Sequence, residues 1–219
     1  MLDLEKQFLF YGAYHHHPVS VALYLDMDEG KKKRKKERKR KTNGSIKINV
    51  IIHITCVPII MLCMFLLVGS AGPLFSVPEA ISIQNLPPNG GTIAAFVYLL
   101  LYMLMEPVAG AMLAPLLLSG TAYINHLLAA YGQTAVYWSL AVQGVAWILQ
   151  FVGHGVFEGR APALLDNLVQ AFFLAPFFVW LEVLFYLGYR PELKSRLDAA
   201  IAKEVAKFNK QKAEKTKAK

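Results

Sequence analysis

Five long apolar runs, near residues 50–69, 92–106, 108–131, 135–153 and 164–188, constrain this chain more than anything else in it. A helix needs about 20 residues to cross a hydrocarbon core of roughly 30 Å, and each run is that long or nearly so. Buried helices of soluble proteins break sooner into an amphipathic pattern. Charged residues make up 17% of the chain, where a soluble domain carries about a quarter, and the deficit falls in these runs. Lipid offers backbone N–H and C=O groups no partners, so the runs must close their own hydrogen bonds as helices. The expected fold is all-α, a polytopic membrane helical bundle.

Prolines and charges divide it further. Glu106-Pro107 separates the second run from the third, because proline favours a turn or break there. Pro176 splits the last run into two pieces too short to cross, which makes 164–188 a re-entrant or interfacial segment. About four full spans remain. Residues 4–18, LEKQFLFYGAYHHHP, form a short amphipathic segment that carries a histidine cluster and stops at Pro18. Asp3, Glu5 and Lys6 interrupt any apolar core near the N-terminus, so no cleavable signal peptide is expected and the first span does the targeting. From Arg190 onward, ten Lys/Arg stand against four Asp/Glu with no broad apolar face, so this tail is expected in water. The positive-inside rule assigns it to the cytosol, and an even number of spans brings the N-terminus to the same side. Four units follow: the segment 1–18, a charged insert 19–47, a membrane domain 48–189 that carries the chemistry, and a basic cytosolic tail 190–219.

A formal net charge of +8 suggests nucleic acid only until it is located. Residues 31–41, KKKRKKERKRK, hold ten basic side chains and one acidic one, and 19–47 as a whole carries +7. The rest of the chain is close to neutral. The block is expected to be solvated and disordered, and nucleic acid is not an expected partner.

The candidates for chemistry are the six histidines, His15, His16, His17, His53, His126 and His154. A single interfacial histidine is more commonly a hydrogen-bonded or snorkelling residue, although ionisable groups at membrane depth are functional suspects by default. Here several converge. His53 near the start of the first span and His154 at the end of the fourth reach one cytosolic boundary, where His15, His16 and His17 arrive from the N-terminal segment. Imidazoles are good ligands for Fe(II), and an open coordination sphere admits O2 and substrate. Glu158 lies one helical turn beyond His154 and could face the same centre; pairing with Arg160 or capping a loop is the plainer role. His126 falls toward the opposite face. Glu106 and Glu182 fit turn-forming or helix–helix polar contacts, and Cys56 and Cys63 are small apolar fillers. Serine-nucleophile, P-loop, Rossmann and zinc-protease signatures are absent, and the histidines lack the repeated boxes of di-iron membrane hydroxylases.

Three stretches, LDLEKQFLFYGAYHHHP, NVIIHITCVP and WILQFVGHGVFEGRAPALLDNLVQAFFLAPFFVWLEVLFYLGYRP, resemble the fungal 2-hydroxy fatty acid dioxygenase family. The Gly-His-Gly-x-Phe-Glu-x-Arg-x-Pro-Ala-Leu stretch at 153–164 is specific; the Tyr-His-His and Asn-x-x-x-His pieces support it. The resemblance implies an endoplasmic-reticulum membrane enzyme that requires Fe(II) and O2. Its substrate would be a 2-hydroxy long-chain fatty acid, shortened by one carbon in the alpha-oxidation step of phytosphingosine breakdown. Carried over by position, the iron ligands are His15, His16, His53 and His154, while His17 stands where relatives often have asparagine. A 2-hydroxy acid can chelate iron through carboxylate and hydroxyl while its acyl chain stays among membrane lipids. Arg160 is a candidate anchor for that carboxylate; a lipid-facing role suits its position as well. The alternative is a non-catalytic membrane lipid-binding or scaffold protein. A transporter ranks last, since its polar residues would lie at mid-membrane depth in several spans.

The resemblance breaks at 19–47. Relatives run from Tyr-His-His-x-Pro directly into x-Asn-x-x-x-His, and removing these 29 residues restores that spacing as YHHHPINVIIHITCVP. Val19-Ser20, Thr42-Asn43 and Lys47 can be encoded as donor, branch and acceptor signals of an in-frame intron of 87 nucleotides. The expectation is a retained intron, with a lineage-specific cytosolic loop as the alternative.

Overall fold

The computed structural model describes residues 32–153, 170–201 and 203, with side chains over 49–153, 172–201 and 203. Six helices account for most of them, and no strand forms among them. Helix α1 is Lys32–Gly69, and a loop with a short 3-10 turn at Glu79–Ile81 follows. Then come α2, Gly90–Met105, α3, Pro107–Tyr131, and α4, Gln133–Val152. A π turn at Gln170–Leu174 leads into α5, Ala175–Tyr186, and α6 is Pro191–Ile201. Three helices are long and apolar enough to span a membrane: Asn49–Gly69 within α1, α3 and α4. Helix α2 is apolar but has 16 residues, about 24 Å of helix, so it falls short of a full crossing.

Local chemistry sets the boundaries. Asn89 caps α2 by accepting the Thr92 N–H at 2.9 Å. Glu106 is extended, at φ −148° and ψ 100°, because Pro107 follows it. Pro107 then opens α3, where its missing N–H costs nothing. A single residue, Gly132, turns α3 into α4 with φ +51°, a conformation side chains resist. Pro58 and Pro115 lie inside α1 and α3 without ending them, as membrane helices tolerate.

The charged block departs from expectation. Rather than disordered chain, it continues α1 outward from Asn49 to Lys32. Lysine, arginine and glutamate are good helix formers, and extending an existing span needs no new nucleus.

Glycines let the helices close on one another. A Cβ at Gly91 would collide with the Phe65 carbonyl oxygen, and one at Gly110 would sit 2.8 Å from the Met103 nitrogen. Small residues of this kind substitute in lipid for the hydrophobic driving force of water. Helix α4 lies antiparallel along α1, with Ser139 Oγ donating to the Cys63 carbonyl at 3.2 Å. Further along the same seam Ala146 packs on Cys56 and Ile60.

Helix α5 fills the centre. Phe177, Phe178 and Leu181 are fully buried, and Phe177 stacks on Tyr102 with ring centroids 4.6 Å apart. The Tyr98 and Tyr102 hydroxyls donate to the carbonyls of Phe172 and Phe173 at 3.0 and 2.9 Å. These bonds supply partners for backbone that the π turn leaves irregular. The element therefore begins halfway along α2 and runs to the Glu106 end, as a re-entrant segment does. Its break differs from the expected one. Pro176 does not split the helix; it sits in the first turn of α5, a position that suits proline. The chain breaks later, between Tyr186 and Pro191, where the axis bends by 119°. Gly188 takes φ +89°, and Tyr189 N–H returns to Leu184 O while Gly188 N–H returns to Phe185 O. That pair of bonds closes a helix with a left-handed glycine.

The start of the tail also departs from expectation. Leu193, Leu197 and Ile201 form an i, i+4, i+8 stripe, all buried in the main core, so α6 docks on the bundle instead of standing in water. The outward faces elsewhere are apolar: Leu100, Leu116, Val145 and Ile148 are all more than half exposed. Such a surface suits lipid.

Candidate functional site

The bundle has two polar ends. At one, α1 enters and α4 leaves. His53 is 5% exposed there, and its Nδ1 lies 2.9 Å from the Asn49 carbonyl oxygen, one turn earlier. A carbonyl only accepts, so Nδ1 carries a proton and donates it to that oxygen. Metal-bound histidines are commonly held by such a bond from the other ring nitrogen.

Gly153, which opens the Gly-His-Gly stretch and is the last described residue before 154, faces Asn49 so closely that a Cβ would collide with its side chain. The three contacts of the α1–α4 seam, Ser139 with Cys63, Ala146 with Cys56 and Gly153 with Asn49, fix one antiparallel register. Gln150, between Ala146 and Gly153 on this face, thus stands at the level of His53. It is 5% exposed, and its Oε1 is buried with no hydrogen-bond partner among the described residues.

The same end holds a buried carboxylate. Glu106 accepts from the Ala109 N–H at 2.6 Å, the Tyr189 hydroxyl at 2.9 Å and the Arg190 guanidinium at 2.8 Å. One side chain thereby ties the α2–α3 break to the α5–α6 break. Burial, and then the bond to Glu106, push the Tyr189 hydroxyl above its ordinary pKa. Arg190 is half exposed and has φ +44°, unusual for a residue with a side chain.

At the opposite end, Asn89 Nδ2 donates to Asn125 Oδ1 at 2.9 Å. Asn125 Nδ2 donates in turn to the Asn85 carbonyl and Thr92 Oγ1, at 3.1 and 3.0 Å. Asn89, Thr92 and Asn125 are buried. A cavity of about 410 Å³ opens beside them, lined by Gly69, Ser70, Asn89, Asn125 and Gln133 among others, and none of its lining residues is charged.

Of the expected site residues, His53 is where the sequence places it. His126 is exposed near the far end of α3, remote from His53, as expected. His15, His16, His17, His154, Glu158 and Arg160 lie outside the described residues. Among the described residues no group of three or more His, Cys, Asp or Glu side chains stands together. Glu106 proves to be the helix-capping turn residue expected of it, and more: its ion pair with Arg190 has no local signal, because 84 residues separate the two. Gln150 was visible only as a polar residue ending an apolar run.

The chain matches the family described as 2-hydroxy-palmitic acid dioxygenase Mpo1-like over residues 42–187. It is 34% identical over 201 residues to the 2-hydroxy-palmitic acid dioxygenase MPO1 of Saccharomyces cerevisiae, an alignment covering 90% of this chain and 89% of that protein. No solved structure matches it. This all-helical, multi-helix membrane protein therefore belongs to the Mpo1-like dioxygenase family.

Proposed function

We propose that the protein is an Fe(II)-dependent dioxygenase that uses O2 to convert 2-hydroxy fatty acids to fatty acids one carbon shorter, at the endoplasmic-reticulum membrane and with both termini in the cytosol. The similarity to a relative named for 2-hydroxy-palmitic acid, extending over nine-tenths of the chain, carries this reading. His53 adds to it. A buried histidine whose Nδ1 is committed to a backbone carbonyl, a bond that fixes the orientation of the ring, suits an iron site.

His15, His16 and His154 would complete the ligand set with His53. Fe(II) would supply O2 activation beside the bond to be broken. The chain's own contribution is positioning. Arg160 would anchor the substrate carboxylate, Glu158 would sit beside the centre, and the apolar outer faces would let the acyl chain remain in lipid. A purified sample should shorten 2-hydroxypalmitate to the C15 acid with Fe(II) and O2, and lose that activity on iron chelation with recovery on re-addition. Iron-independent turnover would refute the cofactor assignment, and no turnover in any condition would favour a lipid-binding or scaffold role.

A further inference from the structure

We infer that the Gln150 side-chain oxygen is the acceptor for the 2-hydroxyl of the substrate, and that it makes the site select 2-hydroxy acids over plain fatty acids. This inference rests on the proposed function. A buried amide oxygen with no partner gives up the hydrogen bonds it would make in water, and nothing in lipid replaces them. Among the described residues Gln150 Oε1 has no partner, and the residue is 5% exposed. The polar cluster at the other end of the bundle shows that this chain can pair its buried amides when their role is structural.

The location is also specific. The α1–α4 register sets Gln150 level with His53, one turn before Gly153. An amide oxygen only accepts, so its natural ligand is an O–H or N–H donor. At neutral pH a fatty acid carboxylate has none. The 2-hydroxyl is the one donor that distinguishes the substrate from palmitate. A site built around such a bond rejects the analogue that lacks it, because the acceptor is again left unpaired. Gln150 would thus be a specificity-determining residue that touches substrate without binding iron. Gln143, two turns away, carries a second amide oxygen with no partner among the described residues, but its side chain is less buried and stands beyond the level of His53.

The test is equilibrium binding to the full-length protein without O2, so that turnover cannot intrude. Competition against a fluorescent fatty acid gives the ratio of the Kd for palmitate to the Kd for 2-hydroxypalmitate. Gln150→Leu should lower this ratio about tenfold while leaving the Kd for palmitate unchanged. Gln150→Glu, which keeps an acceptor oxygen, should retain most of the ratio even if both acids bind more weakly. If Gln150→Leu does not give a monodisperse protein, Gln150→Met removes the amide at similar length and should show the same loss. A wild-type preference that survives both apolar substitutions would overturn the inference and leave the proposed function standing. So would an equal loss for both acids, the mark of a structural role. A wild-type ratio near one would overturn the inference and the substrate assignment together.

Discussion

The two ends of the bundle use the same residue types in opposite ways. At the α1–α2 loop end, Asn85, Asn89, Thr92 and Asn125 satisfy one another, and the network holds the 70–89 loop against the helix ends. At the His53 end, a buried glutamine oxygen has no hydrogen-bond partner among the described residues, level with a histidine whose Nδ1 is held by a backbone carbonyl. Closed polar networks rigidify a fold, whereas open ones in an apolar setting are costly unless something else occupies them. The difference supports the proposal that the chemistry lies at the His53 end, and it does so without reference to any relative.

The sharpest way to break that contrast is to remove a histidine from each end. His53→Ala should abolish turnover, a larger loss than the roughly 10–100-fold typical of an outer-shell partner, while membrane insertion is unchanged. His126→Ala, exposed near the other end, should stay within about threefold of wild type, since it is remote from the chemistry. Comparable losses in the two variants, measured as 2-hydroxypalmitate turnover per folded molecule, would erase the distinction.

The converse substitution should cost stability and spare chemistry. Asn125→Leu strands the Asn89 amide and removes the partners of Asn85 O and Thr92 Oγ1. The expected cost is about 1–3 kcal/mol, read as a lower thermal midpoint in detergent, with turnover of the folded fraction near normal. Loss of turnover without loss of stability would mean that this end also takes part in the reaction.

Glu106 offers a graded case at the His53 end. Glu106→Ala removes a helix cap worth about 0.5–2 kcal/mol, together with an ion pair whose arginine is half exposed and so adds little. Glu106→Gln keeps an oxygen for the Ala109 N–H and should lose less than half as much. Equal thermal midpoints for the two variants would assign the stabilisation to charge instead of to the cap.

These residues also mark how far the sequence could be read. Apolar runs and prolines were enough for α1, α3 and α4 and for the Glu106-Pro107 break, because length and a missing N–H act locally. Pro176 misled, since proline is as compatible with the first turn of a helix as with its rupture, and only the left-handed Gly188 marks the real break. The Leu193, Leu197, Ile201 stripe was obscured by the lysines around it, although its four-residue spacing was present in the sequence. His53 stands out as a candidate from its place in Asn-x-x-x-His, and the structure adds the carbonyl one turn earlier that orients it. The Glu106–Arg190 pair and the open oxygen of Gln150 depend on how distant helices meet, which no local pattern encodes.

The smallest expected effect concerns the charged insert, and it sets the outer part of α1 against the span that α1 becomes. Residues 32–47 extend the helix outward from Asn49, roughly 24 Å at 1.5 Å per residue. Residues 19–47 thus separate the His15–His16 segment from the span holding His53 by 29 positions. Loop-closure entropy grows slowly with length, so the insert should not prevent folding. It should, however, replace a short connection with a long one whose helical part leads away from the bundle, and a site needing ligands held to about 0.5 Å benefits from a tight tether. If 19–47 is translated intron, transcript sequencing should show a dominant spliced message encoding 190 residues. That shorter protein should bind Fe(II) a few-fold more tightly and turn over faster than the 219-residue form. Equal iron affinity and equal turnover, with the long message dominant in cells, would make the insert a genuine cytosolic extension of α1.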